Sequence, residues 1–311
     1  MIFVTGGCGF IGSNFSHYLS KQTDEEIIIL DKITYAADPA NLDPLELSIE
    51  LVDLEKNSQV EYLFEKYKPS KVFHFAAESH VDNSIKDVMP FVESNIIATI
   101  NLLNCSVKSE VEMFHHISTD EVYGSLDLHD SPFTEQTPYD PKNPYSASKA
   151  SSDHFVQAFH NTYGVPVKIT NCSNNYGPRQ HSEKMIPKII KNILSDKKIP
   201  VYGKGENIRD WIYVEDHCEA IYQVFLHGKV GEKYNIGGEC ETTNIDLVKK
   251  ILEIMESDES LIEYVTDRPG HDLRYSIDNA KIRNELGWKP SNNLEQGLQK
   301  TINWYHELYS S

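Results

Sequence analysis

The first dozen residues constrain this chain more than any other stretch. MIFVTGG is a short β-branched run ending in glycines, and NFSHYLSK shortly after it has helical spacing. Between them lies Gly7-x-Gly9-x-x-Gly12. Glycines at these positions permit a tight turn and let the backbone approach a pyrophosphate at the positive end of a helix. Gly12 lets that helix pack closely on the strand. The spacing alone is a weak signal, but here strand, turn and helix come in the required order. An acid also closes the next apolar run, at Asp31 of IIILDK. That carboxylate is placed to accept hydrogen bonds from adenosine ribose hydroxyls, which favours NAD over NADP. Lys32 is the contrary feature, since a cation there can hold a 2′-phosphate.

The pattern that follows is regular. EEIIIL, KVFHFAA, EMFHHIST and VPVKITNCS read as strands, apolar almost throughout. VEYLFEKYKP, VESNIIATINLLNCSV and YSASKASSDHFVQAFHNTYG read as helices, the last closed by Gly164. Buried strands alternating with helices require a parallel sheet covered on both faces. Right-handed crossovers then give a doubly wound α/β fold of the Rossmann type. After about residue 176 the alternation loosens, punctuated by Pro178, Pro187, Pro200, Gly203 and Gly205. The expected organisation is an NAD-binding Rossmann domain over 1–176. Residues 177–311 are expected to form mainly a smaller substrate-binding lobe, with part of about 208–240 returning to the Rossmann sheet.

Composition narrows the function. A net charge of −18 argues against a broad surface for nucleic acid. No apolar run approaches the ~20 residues of a membrane span, and no basic leader opens the chain. Five widely spaced cysteines without a C-x-x-C pair suit reduced thiols in the cytoplasm, and no His/Cys spacing suits a metal. Adjacent His115 and His116 would point to opposite faces of a strand, so packing or local hydrogen bonding is the expected role.

Two motifs carry chemistry. YSASK puts Tyr145 and Lys149 on one helix face. An ammonium near a phenol lowers the phenol pKa from ~10, and a phenolate can take a hydroxyl proton while hydride leaves the same carbon. STDEVYG sets Asp120 beside Glu121 at the end of a buried strand, with the Thr119 hydroxyl just before them. Two close carboxyls in a partly dry site take opposite protonation states, because ionising one raises the pKa of the other. On a regular strand they would face apart. The chain must therefore leave β geometry near residue 119, at the C-terminal sheet edge where doubly wound folds bind ligands.

With these motifs the sequence resembles the extended short-chain dehydrogenase/reductases, and within them the nucleotide-sugar 4,6-dehydratases. The resemblance runs nearly the whole chain. It includes TGGCGFIGSN, DKITYAADPANL, HFAAESHVDNSI, STDEVYG, YSASKASSDH, NCSNNYGP, EKMIPK, RDWIYVEDH, YNIGG, DRPGHDLRYSID and LGWKP. It implies NAD held by Gly6, Gly9, Phe10, Ile11 and Gly12 of the loop, then Asp31, Lys32 and Thr34, then Asp53 and Leu54. Phe75, Ala76, Ala77, Ser94, Tyr145, Lys149 and Asn175 complete the implied cofactor set. Near the substrate it implies Ser79, His80, Thr119, Asp120, Glu121, Asn174, Glu183, Lys184 and Met185. Pro200, Tyr202, Arg209, Asn244, Arg268 and His271 follow, with Arg209 suited to a diphosphate through its bidentate fork.

The implied catalytic set is Thr119, Asp120, Glu121, Tyr145 and Lys149. Tyr145 would take the C4 hydroxyl proton, Glu121 the C5 proton, and Asp120 would protonate the departing C6 hydroxyl, leaving a 4-keto-6-deoxy sugar. The resemblance also implies a homodimer through two helices per subunit, about 88–107 and 145–163. Asn83, Arg179, Gln180 and Ser182 depart from the family's common pattern. They leave UDP-, GDP- or N-acetylhexosamine-linked sugars open beside dTDP-glucose. A UDP-sugar epimerase or decarboxylase would share the C4 oxidation but has no use for the acid pair. A non-catalytic NAD(H)-binding protein has no use for Tyr145, Lys149 or either acid.

Overall fold

A computed structural model describes residues 1–267 and 272–310. Its centre is a parallel seven-stranded sheet. The strands are β1 (Ile2–Thr5), β2 (Ile27–Asp31), β3 (Ser48–Leu51), β4 (Lys71–His74), β5 (Met113–Thr119), β6 (Val167–Cys172) and, after three strands outside this sheet, β10 (Lys233–Ile236). They lie in the order β10-β6-β5-β4-β1-β2-β3. Pairing is parallel throughout, for example Val4 with Ile29 and with Phe73. β1 and β2 are buried along their whole length, as a sheet covered on both faces demands.

Period-two alternation divides the core. Ile2, Val4, Ile27 and Ile29 face one layer, while Phe3, Ile28 and Leu30 face the other. Helix α1 (Phe10–Leu19) supplies the first layer through Phe15 and Leu19. Helix α2 (Asn57–Tyr67) lies in the second, where Leu63 and Phe64 pack. After the short helices α3 (Val81–Lys86) and α4 (Met89–Phe91) comes a π-helical turn, Val92–Ile97, leading into α5 (Ala98–Lys108). The expected long helix is therefore present, with a widened turn that periodicity does not signal. Helix α6 (Pro144–Tyr163) begins with Asn143 capping Ser146 N and ends at Gly164 in left-handed geometry.

Beyond β6 the chain builds two small sheets and a separate core. The small strands are β7 (Asn174–Tyr176), β8 (Ile199–Tyr202), β9 (Ile208–Tyr213), β11 (Glu241–Thr243) and β12 (Ile262–Val265). They pair as β11-β9-β7 and β12-β8. Helices α7 (Met185–Leu194), α9 (Asn244–Ile254) and α11 (Leu294–Ser310) enclose them through Ile186, Ile190, Leu247, Ile251 and Leu298. Within 208–240, α8 (Val214–His227) and β10 join the main sheet and its first layer, with α10 (Ala280–Leu286) beside them. β9 stays in the small three-stranded sheet.

The bend at 178–180 is one place where the halves are tied together. Asn14 of α1 donates to the Pro178 carbonyl at 3.0 Å and accepts from Arg179 at 3.0 Å. Tyr305 of α11 donates to the Gln180 carbonyl. The bend 178–180 is thus held by helices from opposite ends of the described chain.

Candidate active site

The strand order reverses between β1 and β4, and a cleft of about 320 Å³ opens at the C-terminal edge there. The glycine turn forms its floor. Gly6 has φ of +67°, which favours glycine, and Gly9 sits immediately before α1. A Cβ on Gly12 would come within 2.2 Å of the Gly6 carbonyl oxygen, so the turn and the helix pack only with glycine. A Cβ on Gly9 would meet nothing nearer than 3.3 Å, leaving that face approachable. Asp31 ends β2 and accepts from the backbone N–H of Cys8 at 3.0 Å and of Ile33 at 2.8 Å. Burial pushes its carboxyl pKa up, and those two donors oppose the shift.

Lys32 is not free to receive a phosphate. Its Nζ donates to Glu55 Oε1 at 2.7 Å and to Ser94 Oγ at 2.8 Å. A carboxylate at that edge repels a 2′-phosphate, which removes the one sequence feature that favoured NADP. Every residue expected at the cofactor lines this cleft, from Gly6 through Phe75, Ala76 and Ala77 to Asn175.

At the far end the chain does leave strand geometry. A 3₁₀ turn, Asp120–Tyr123, begins where β5 stops. Thr119 caps it, its Oγ1 accepting from Glu121 N at 3.2 Å. The turn brings Asp120 and Glu121 into the same cleft as Tyr145 and Lys149. Thr119 Oγ1 also donates to Asp120 Oδ1 at 3.3 Å, while Asp120 Oδ2 is buried with no hydrogen-bond partner. Ser146 donates to Glu121 Oε2 at 3.3 Å.

The two acids differ electrically. Burial pushes Asp120 well above the usual carboxyl range, and the charges of Glu121 and Asp210 push the same way. Burial also raises Glu121, but the Arg209 guanidinium opposes it most strongly. This favours a protonated Asp120 beside a more readily ionised Glu121, the division that acid–base elimination needs.

The Tyr145–Lys149 pair behaves differently from the sequence expectation. Lys149 Nζ donates to the Ile117 carbonyl at 2.8 Å and lies 3.5 Å from His116 Nε2. Burial lowers the Lys149 pKa and pushes Tyr145 well above its ordinary value, with Glu121 adding to the rise. Among these side chains the Thr119 hydroxyl is what opposes it. Desolvation therefore dominates this phenol. His116 is committed to the interior, 3.2 Å from Asp153 Oδ1, and His115 stacks on Phe73 with ring centroids 5.6 Å apart. Among the described residues no His, Cys, Asp and Glu cluster is arranged to hold a metal ion.

The substrate set divides. Ser79, Asn174, Glu183 and Lys184 line the cleft with Thr119 and the two acids. Lys184 Nζ donates to the Ser79 carbonyl at 3.1 Å. His80, Met185, Pro200, Tyr202, Arg209 and Asn244 do not line it. His80 nonetheless has a buried unpartnered Nδ1 and Asn244 a buried unpartnered Oδ1. Arg209 stacks 4.5 Å over the Tyr275 ring and donates to the Asp272 carbonyl at 3.0 Å. Arg268 and His271 lie outside the described residues. The wall also contains Glu55, Glu78, Ser173, Gln180 and His181, which the motifs did not assign. Gln180 was visible in the sequence only as a departure from the family pattern. Glu55 gave no signal because its partner, Lys32, is distant along the chain.

A dinucleotide cradle whose far end carries a Tyr-x-x-x-Lys helix is the build of the extended short-chain dehydrogenase/reductases. Residues 3–301 match the family described as GDP-mannose 4,6 dehydratase, and the chain belongs to this family of nucleotide-sugar 4,6-dehydratases. It is 50% identical to dTDP-glucose 4,6-dehydratase of Haemophilus influenzae, over 98% of this chain and 97% of that one. The solved structure of DesIV, a dTDP-glucose 4,6-dehydratase from Streptomyces venezuelae with NAD and TYD bound, superposes with a TM-score of 0.96. That likeness is at 43% identity and covers 99% of this chain and 98% of that one. A UDP-glucose 4-epimerase from Thermotoga maritima superposes nearly as well, with a TM-score of 0.94 at 29% identity over 99% of both chains. Backbone shape therefore does not separate dehydratase from epimerase, and the side chains of the site must.

Proposed function

We propose that this chain dehydrates dTDP-glucose to the 4-keto-6-deoxy sugar, using NAD that is regenerated in each turnover. One observation carries the reading: Asp120 and Glu121, adjacent in sequence, share one cleft with Tyr145 and Lys149. An epimerase working at C4 has no task for that acid pair.

The cleft fits NAD. The turn has no room for a Cβ at Gly6 or Gly12, Asp31 stands at its edge, and Glu55 holds Lys32 away from a 2′-phosphate role. When bound, NAD⁺ supplies a hydride acceptor for C4, the hydride later returned to C6, and a positive charge in the cleft. The chain's own residues do the rest. Tyr145 takes the proton of the C4 hydroxyl as phenolate, with Lys149 and Thr119 orienting it. The C4 ketone acidifies the C5 hydrogen. Glu121 removes that proton as general base, and Asp120 protonates the C6 hydroxyl as it leaves as water. Glu121 then returns its proton to C5.

The substrate side draws on Ser79, His80, Asn174, Glu183 and Lys184, with Met185, Asn244 and the Arg209 fork reached from the second lobe. Pro200, Tyr202, Arg268 and His271 complete this proposed set. We assign residues 1–176 to cofactor binding and 177–311 mainly to the substrate. A homodimer through the helices at about 88–107 and 145–163 completes the proposal, supported by exposed Val88, Met89, Ile97 and Phe155 on those helices. Five free cysteines suit a reducing, cytoplasmic setting.

The test is incubation with dTDP-glucose and with UDP-, GDP- and N-acetylhexosamine-linked sugars in parallel. Loss of one water by mass, with the alkaline absorbance of a 4-keto-6-deoxy product, is expected first with dTDP-glucose. C4 epimer without loss of water would overturn the reading.

A further inference from the structure

The proposed reaction leaves one proton in the wrong place. Tyr145 starts as phenolate and ends protonated, because the C4 oxygen remains a ketone and never takes its proton back. Asp120 starts protonated and ends ionised, because its proton leaves in the water. The two hydride movements cancel, and Glu121 returns what it took. Before the next turnover, one proton must pass from Tyr145 to Asp120.

We propose that the Thr119 hydroxyl is the bridge that returns this proton, accepting from Tyr145 while donating to Asp120 and so resetting the site without solvent. This rests on the dehydratase reading above and extends it from the forward steps to the reset. All three side chains are buried in the same cleft. Thr119 Oγ1 already donates to Asp120 Oδ1 at 3.3 Å. A hydroxyl has one donor and two acceptor positions. One acceptor position is filled by Glu121 N–H at 3.2 Å. The remaining one is open to a donor, and the Tyr145 side chain lines the same cleft.

The step balances. The Tyr145 O–H bond breaks as a new Thr119 O–H bond forms, and the old Thr119 O–H bond breaks as Asp120 gains its proton. Threonine is unchanged, and nothing is oxidised or reduced. The other basic groups lead away from Asp120: Lys149 is tied to the Ile117 carbonyl, and His116 behind it faces Asp153. Burial and the Glu121 charge raise the proton affinity of Asp120 and of Tyr145 alike, so the proton passes between two groups shifted in the same direction.

The test separates the first turnover from the later ones. Rapid-quench kinetics with dTDP-glucose should show Thr119→Val, slowed from the outset because Thr119 also orients Tyr145, still making about one equivalent of product per site. Turnover should then slow to a steady state at least ~10-fold below that first phase, a loss of the size general acid–base groups contribute. Thr119→Ser, which keeps the hydroxyl, should show no such break. A uniform slowing of first and later turnovers in Thr119→Val, or loss of the first turnover by folded protein, assigns Thr119 to C4 oxidation alone and overturns the bridge. The unaltered enzyme gives an independent reading with a pH-indicator dye in weak buffer. Internal return predicts no proton uptake or release during turnover, and a transient of about one proton per site overturns it. If the unaltered enzyme releases no water from dTDP-glucose, the dehydratase reading fails instead, which distinguishes the two.

Discussion

The two ends of the cleft differ in how they are built. The cofactor end is made from backbone and strand termini: the glycine turn after β1, Asp31 at the tip of β2, and Phe75–Ala77 after β4. The end we propose for the substrate is made from side chains carried by a 3₁₀ turn, a bend and a second lobe with its own core. The first kind of site follows from local chain geometry. The second exists only after two cores have docked.

This contrast can be broken most sharply at the acid pair. Glu121→Gln should lower kcat by about 10³-fold, within the range for a general base. NAD content should be unchanged, and reduced cofactor should build up on addition of sugar, read at its near-ultraviolet band. Near-normal turnover would remove Glu121 from its role. Gly12→Ala attacks the other end. Its Cβ would lie 2.2 Å from the Gly6 oxygen, so we expect about 1–3 kcal/mol of lost stability and depleted NAD, measured by denaturant titration and cofactor extraction.

A pH profile of kcat sharpens the comparison further. Glu121 must be ionised and its pKa is raised, so rate should fall on acidification from above the ordinary carboxyl range. Asp120 must be protonated and is raised further, so rate should also fall on the alkaline side as Asp120 ionises. The stability sign follows separately. A carboxyl raised on folding supports the fold fully below its unfolded pKa, and that support is lost as pH rises through the folded value. Asp120→Asn should therefore lose activity yet melt no lower than the parent at neutral pH, with a smaller decline toward alkaline pH. The smallest effect is expected at the rim. Glu55→Gln should relax discrimination against NADP by up to about 10-fold, or ~1.4 kcal/mol, in the ratio of KM values. Unchanged discrimination would mean that Asp31 alone sets the preference.

The same contrast explains what could be read in advance. The doubly wound sheet was legible because β1, β2, β5 and β6 are buried runs separated by amphipathic helices. The break in strand geometry at residue 119 was legible because two adjacent acids cannot otherwise share a cavity. The π turn at 92–97 was not, since its residues keep a helical pattern. Nor was the Lys32–Glu55 pair, which joins strand ends far apart in sequence. The lowered Tyr145 pKa was expected from the proximity of an ammonium, and burial reversed it. Sequence spacing reports neighbours but not desolvation.

The bend at 178–180 has a consequence for how this site comes into being. Asn14 holds it from one side and Tyr305 from the other. On a ribosome, the parallel sheet is complete once β10 has emerged, well before Tyr305 is synthesised. A partly made chain could thus shelter its cofactor floor while lacking a finished wall. Nascent protein would gain full ligand retention only once Tyr305 has emerged.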